Sequence, residues 1–197
     1  YRIVYVHVPA IFTGFTGFFV ALAASAAYLA TGKLKYDAFA AAVTEVALAF
    51  ATIVLATGMI WGHSACGQWW TWGPRLTFSP VLRLLYVVYL IVRTSVDSGQ
   101  RRAIIAAVYG IIAFLDVPLV YLSVRLMPDI HPVGVTLAPE MKLTLGLCFI
   151  PVMMLAAGLI VQGFATNRKR RQRGRWIESG IVASDTRGSM AKPQIAG

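Results

Sequence analysis

The sequence predicts an all-α, polytopic transmembrane helix bundle. Its residues are 58% hydrophobic and only 13% charged, with a mean hydropathy of +0.69. A soluble domain is about 45–50% apolar and about 25% charged. The apolar residues fall in five long runs, and most basic residues lie between or after these runs. This arrangement indicates that lipid, rather than water, is the solvent of most side chains.

Five apolar runs predict five membrane spans in this chain. The first contains no charged residue, and at ~1.5 Å per residue it is ~34 Å long, enough to cross the hydrocarbon layer. The third is the shortest and contains Arg83, which we expect near the outer end of its helix with its side chain extended towards the membrane surface. The predicted spans cover about residues 8–30, 38–60, 79–93, 103–124 and 143–164.

The segments between the runs predict loops and a tail. Residues 61–78 form a loop rich in Trp and Gly, and residues 125–142 form a second irregular loop with three prolines. Residues 1–166 thus make one transmembrane domain. Residues 167–197 are basic and polar, which predicts a disordered cytoplasmic tail. Within the spans, Glu45 and Asp116 are either helix-to-helix hydrogen-bonding groups or members of a polar pathway.

The net charge of +10 is unevenly distributed. Basic residues next to the spans favour the cytoplasmic side of a bacterial inner membrane. Five alternating spans put eleven basic residues on one side of the membrane and four on the other. The side with eleven is therefore predicted to be the cytoplasm. The richer side receives Lys33, Lys35, Arg93, Arg101, Arg102 and the six residues of the cluster 168–175. The basic cluster favours contact with anionic lipid, and we exclude nucleic-acid binding.

Cysteine usage excludes two classes of protein. Cys66 and Cys148 are the only cysteines, too few for a disulfide framework, and no CxxCH motif marks a c-type cytochrome. His63 and Cys66 have an H-x2-C spacing, but two ligands do not complete a zinc site.

Two histidines and a tryptophan-rich loop are predicted on the outer face. His7 lies at the mouth of the first span and His131 in the second outer loop. Four of the five tryptophans lie between residues 61 and 75: Trp61, Trp69, Trp70 and Trp72.

These residue types together indicate a haem site. Imidazole is a standard axial ligand of haem iron, indole rings offer a flat apolar platform, and Arg75 can pair with a propionate. We therefore predict haem b, with His7 and His131 as axial ligands. The alternatives are a tryptophan belt that only anchors the protein at the membrane interface, and histidines that are merely solvated.

Three motifs resemble the haem exporter protein C (CcmC) family of cytochrome c maturation. The loop GQWWTWGPRLT at 67–77 is similar to the WWD signature W-G-x-W-W-x-W-D-x-R-L-T, and the opening YRIVYVHVP at 1–9 is similar to Y-R-I-x-Y-x-H-V-P. The stretch from Pro118 to His131 resembles the second histidine loop of that family. The motifs occur in the same order along nearly the whole chain. One departure from the signature matters, since Gly73 replaces its aspartate.

The resemblance implies a haem carrier rather than an enzyme. It implies six spans, so we expect one more before Tyr1, and it implies that the tryptophan loop, with Trp61 framing it, holds the porphyrin. Haem would then pass to the periplasmic haem chaperone CcmE, with help from the membrane subunit CcmD and the transporter CcmAB. Two alternatives remain: a haem lyase component of the CcsA type, and a membrane b-type cytochrome.

Overall fold

The computed structural model describes residues 2–96, 99–126 and 137–190, and these residues form helices and short connections without a strand. This confirms the predicted all-α helix bundle. The helices are α1 (Val4–Thr31), α2 (Leu34–Cys66), α3 (Pro74–Ser95), α4 (Gly99–Ala113), α5 (Asp116–Leu126) and α6 (Pro139–Met190). Five described segments are long and apolar enough to cross a membrane, since α4 and the start of α5 act together as one segment, Gly99–Ser123.

Helices α1 and α2 form the closest helix pair of the bundle. A sharp turn joins them at Gly32, whose φ of 66° is left-handed and whose N–H donates to the Tyr28 carbonyl over 2.8 Å. Further along, a Cβ on Gly17 would lie only 2.8 Å from the Cβ of Ala47. The absence of a side chain at Gly17 therefore lets the two backbones approach, as small residues do in membrane helix pairs.

Helix α3 is longer than the predicted third span. It has 22 residues because it begins at Pro74, where the fixed φ of proline suits the first helical position. Arg83 lies nine residues after Pro74, about 13 Å along the helix, rather than near its outer end. Its Nε donates to Thr52 Oγ1 on α2 over 3.0 Å. The side chain thus bridges α3 to α2.

The predicted fourth span is a broken helix. Pro118 has no N–H to give to the carbonyl of Phe114, so the regular hydrogen-bond ladder is interrupted. The chain tightens there, with Leu115 N–H donating to Ile112 O and Val117 N–H to Phe114 O, each over 3.0 Å. The candidate span Gly99–Ser123 nevertheless covers the predicted fourth span, so the break lies within one membrane-crossing segment.

Helix α6 extends beyond both ends of the predicted fifth span. It begins at Pro139 and continues to Met190, so residues 167–190, expected to be disordered, have a helical backbone. Arg, Lys and Gln, which are frequent after residue 167, are good helix formers, and this explains the continuation. The division of the chain at residue 166 and the cytoplasmic location of the tail stay predictions.

Aromatic residues fill the centre of the bundle between α1 and α3. Phe18 stacks on Tyr86 with ring centroids 4.1 Å apart, and both side chains are fully buried. Nearer the α1–α2 turn, Arg93 makes a bidentate ion pair with Asp37, with distances of 2.6 and 3.2 Å. This pair joins the start of α2 to the end of α3, at the opposite end of the bundle from the tryptophan loop.

Candidate haem-binding site

His7 lies in the first turns of α1, against the last third of α2. Its Nδ1 is 2.7 Å from Thr57 Oγ1. The Thr57 hydroxyl donates its single proton to the Ile53 carbonyl, 2.7 Å away, with a longer contact to the Val54 carbonyl at 3.3 Å. A hydroxyl that donates to a carbonyl accepts from its other neighbour, so this geometry favours the His7 tautomer with the proton on Nδ1.

Gly58 makes room for the imidazole of His7. A Cβ at position 58 would lie 3.3 Å from Cε1 of the ring, a contact tighter than most. The ring is thus held between a hydrogen bond to Thr57 and the bare backbone of Gly58. Trp61 lies four residues after Thr57 on the same helix, so it shares the face of α2 that His7 contacts.

The tryptophan loop is shorter than predicted. Helix α2 continues to Cys66, so Trp61 and His63 are helical, and the prediction that they belong to the loop is wrong. The helix ends at Gly67, whose φ of 73° is left-handed and whose N–H donates to the His63 carbonyl over 3.0 Å. The connection to α3 is therefore only residues 67–73.

Aromatic rings in and beside this loop pack in two pairs. His63 stacks on Trp69 with centroids 4.1 Å apart and planes 18° apart. Trp70 and Trp72 meet edge to face, at 5.9 Å and 77°. These pairs fix the rings against one another and explain why His63, which the motif does not use, is held at the loop.

The exposure of the loop suits a flat, partly apolar ligand. Trp72 is 81% exposed and Trp69 is 56% exposed, so large indole faces remain uncovered by the described residues. Trp70 Nε1 and Thr71 Oγ1 are buried without a hydrogen-bond partner among the described residues. Open ring faces beside unsatisfied polar atoms fit a porphyrin with its polar edge groups.

Arg75 follows the loop as the second residue of α3, where it is half-buried. Hydroxyls in the first turns of α3 reinforce this helix start. Thr77 Oγ1 donates to the Gly73 carbonyl over 3.0 Å, and Ser79 Oγ donates to the Arg75 carbonyl over 2.7 Å. Arg75 is thus positioned by a well-defined first turn, three residues after Trp72 in the chain.

The structure brings together six of the seven predicted site residues at one end of the bundle, where α1 begins, α2 ends and α3 begins. They are His7, Trp61, Trp69, Trp70, Trp72 and Arg75. The seventh, His131, lies outside the described residues, so its pairing with His7 stays a prediction.

In the described part of the chain, no three His, Cys, Asp or Glu residues form a cluster that could hold a metal ion directly. Cys66 and Cys148 are not bridged.

Thr57 is the site residue that the sequence did not predict. A threonine in an apolar helix commonly bonds its own backbone four residues earlier, as Thr57 also does. Its contact with His7 joins residues fifty positions apart. Its spacing of four residues from Trp61 is the one local signal that it faces the site.

Comparison with known proteins agrees with the three motifs. The family model described as "Heme exporter protein C" (CcmC) matches residues 1–178. This chain belongs to the CcmC family.

Individual CcmC relatives match at moderate identity. Heme exporter protein C of Escherichia coli K12 is 31% identical over 132 residues, which are 66% of this chain and 54% of the relative. Heme exporter protein C of Bradyrhizobium diazoefficiens is 30% identical over 133 residues, covering 66% and 49%. A Marchantia polymorpha protein named "Putative cytochrome c biosynthesis ccmC-like mitochondrial protein" is 27% identical over 131 residues, covering 66% and 55%. The matched region spans about half the length of these relatives.

Proposed function

We propose that this chain is a haem-handling subunit of cytochrome c maturation. It binds haem b at the end of the bundle that carries the tryptophan loop, and presents it to the periplasmic haem chaperone CcmE. Relatives named heme exporter protein C, and one named for cytochrome c biosynthesis, support this assignment. The observation that carries it is the position of His7, whose Nδ1 is fixed by Thr57 at the same end as the exposed Trp69 and Trp72.

The residues of the chain would divide the work of holding haem. With Nδ1 of His7 donating to Thr57, Nε2 is assigned to the iron. His131 would supply the second imidazole that holds the iron. Trp69, Trp70 and Trp72 would cover the ring, and Arg75 would pair with a propionate. Bound haem supplies an iron centre that accepts two imidazoles, and the chain adds no chemical step to it.

The location of His7 separates this proposal from a membrane b-type cytochrome. In such a cytochrome, histidines within the spans hold the haem inside the bilayer. Here His7 lies in the first turns of α1, at the helix end. A site at the edge of the membrane suits a carrier that must release its haem to another protein.

The proposed partners follow from the family. We propose that CcmD and the transporter CcmAB assemble with this chain in a bacterial inner membrane, and that the site faces the periplasm. The chain acts as a carrier and not as an enzyme.

Visible spectroscopy of the purified protein tests the histidine ligands. The His7→Ala and His131→Ala variants should each accumulate normally, because a residue at a helix end, or in the loop that the sequence predicts for His131, contributes little to the stability of the bundle. Each should lose the low-spin haem spectrum, since the iron retains one imidazole, and added imidazole should restore part of it.

His63→Ala is the matched control. His63 stacks on Trp69 but has no assigned role at the iron, so this variant should keep a low-spin spectrum. An unchanged low-spin spectrum in either His7→Ala or His131→Ala would exclude that histidine as a ligand and overturn the bis-histidine site.

A further inference from the structure

We infer that Thr57 is a positioning residue for the haem ligand, and that it sets the tautomer and the ligand strength of His7. This inference rests on the proposed function, and it goes beyond it by giving a role to a residue outside the tryptophan loop and the two histidines. Thr57 does not itself contact the iron. It acts through the imidazole ring.

The direction of the hydrogen bond carries the argument. A neutral imidazole exists in two tautomers, and which nitrogen binds a metal depends on which one the protein holds as an N–H. We assign the Thr57 proton to the Ile53 carbonyl at 2.7 Å, so that the Thr57 oxygen presents a lone pair to Nδ1 of His7, also at 2.7 Å. This arrangement stabilises the tautomer with the proton on Nδ1, which directs Nε2 to the iron.

The same bond also affects the strength of the iron ligand. An acceptor at the distal N–H of a metal-bound histidine raises the basicity of the ligating nitrogen and fixes the orientation of the ring. A more basic ligand stabilises ferric iron over ferrous iron. Thr57 should therefore hold the reduction potential of the bound haem lower than an unbonded His7 would.

The bare backbone of Gly58 lets the imidazole lie close to α2, within reach of Thr57. A Cβ at position 58 would approach Cε1 of the ring to 3.3 Å, closer than most such contacts. On α2, the imidazole therefore meets the Thr57 acceptor and the bare backbone of Gly58, which lie four and three residues before Trp61.

Thr57→Val is the test, because valine keeps the shape of threonine and removes the acceptor. We expect this variant to accumulate normally and to bind haem with about 10–100-fold lower affinity, the usual cost of losing such an outer partner. Its reduction potential should shift to more positive values, and its high-spin fraction should rise. Thr57→Ser, which retains the hydroxyl, should restore all three properties.

Thr166→Val is the matched control. The Thr166 hydroxyl also donates to the carbonyl four residues earlier, Gln162 O at 2.9 Å, so this variant loses an equivalent helix bond far from the site, close to the other end of the span Pro139–Lys169. Its haem affinity, potential and spectrum should equal those of the wild type. If Thr57→Val also behaves as the wild type, Thr57 does not position His7, whereas the proposed haem function stands.

A measurement without haem separates the role of Thr57 in setting the His7 tautomer from the proposed binding of haem. The chain has only three histidines, so nitrogen-15 spectra of histidine-labelled, haem-free protein in lipid can be assigned with the His7→Ala variant. His7 should show its proton on Nδ1 in the wild type and a mixture of tautomers in Thr57→Val. A proton on Nε2 in the wild type would overturn the inference. Failure of the wild type to form low-spin haem would instead count against the proposed function.

Discussion

Among single residues, Gly73 is a position where this chain departs from the family signature, because it replaces the aspartate. It is the N-cap of α3, with φ −62° and ψ 156°, and no side chain caps the helix. This backbone conformation is open to any residue, so the glycine is not required by the turn. The loss of the aspartate therefore removes a possible helix cap beside Arg75 without changing the path of the chain.

Restoring the aspartate should be tolerated. In Gly73→Asp, a carboxylate at the N-cap can accept an N–H of the first turn and interact favourably with the helix dipole, which should raise stability by a few tenths of a kcal/mol. Thermal unfolding in detergent measures this, and the visible spectrum should show haem still bound.

Gly73→Ala is the control for the Gly73→Asp substitution. Alanine adds a side chain without a cap, so it should not stabilise α3. Loss of haem from Gly73→Asp but not from Gly73→Ala would mean that a carboxylate at this position is incompatible with the site.

Some residues of the candidate site and the fold could be predicted from the sequence, and others could not. His7, the loop tryptophans and Arg75 could be predicted because each has a side chain with a specific chemistry for haem and lies in a recognisable motif. Thr57 and Asp37 could not, since the sequence does not reveal which distant residue a threonine or an aspartate will contact. Their roles depend on how α1, α2 and α3 pack.

At the scale of helices, the apolar runs predicted the spans but not their ends. Hydropathy reports the length that suits lipid, whereas a helix continues as long as its backbone bonds are satisfied. Thus α2 continues through Trp61 and His63 to Cys66, and α6 continues into the basic segment. The break before Asp116 follows from Pro118, a signal present in the sequence whose consequence depends on local packing.

Removal of either partner of the ion pair between α2 and α3 should strongly lower the stability of the bundle. Asp37 is 2% exposed and Arg93 is 12% exposed, so a single substitution leaves a buried charge without its partner. Asp37→Ala and Arg93→Ala should each lower the free energy of unfolding by about 3–5 kcal/mol. Unfolding in mixed detergent measures this change.

The double variant distinguishes a charge effect from a packing effect. Asp37→Ala with Arg93→Ala removes both charges, so its loss of stability should be smaller than the sum of the two single losses. Additive losses would mean that the two side chains act independently, despite the distance of 2.6 Å between them.

At the scale of the whole molecule, the candidate membrane spans alternate in direction between two ends of the bundle. His7, the tryptophan loop and the start of α6 lie at one end. The α1–α2 turn, the end of α3 and the start of α4 lie at the other. The composition sufficed to predict this alternation, because each apolar segment must cross the bilayer before the chain can turn.

The orientation of the bundle in the membrane is the last prediction. Lys33 and Lys35 at the α1–α2 turn are exposed, and the basic cluster 168–175 follows the last span towards the same end. Basic residues near span ends are retained in the cytoplasm, so the opposite end, with the candidate haem site, should face the periplasm.

Reporter fusions after Lys35 should be active only as cytoplasmic reporters, and fusions after Pro132 only as periplasmic ones. A fusion after Gly67 is the internal control and should agree with the one after Pro132. The reverse pattern would place His7 and the tryptophans in the compartment without the haem chaperone, and the proposed delivery of haem would have to be abandoned.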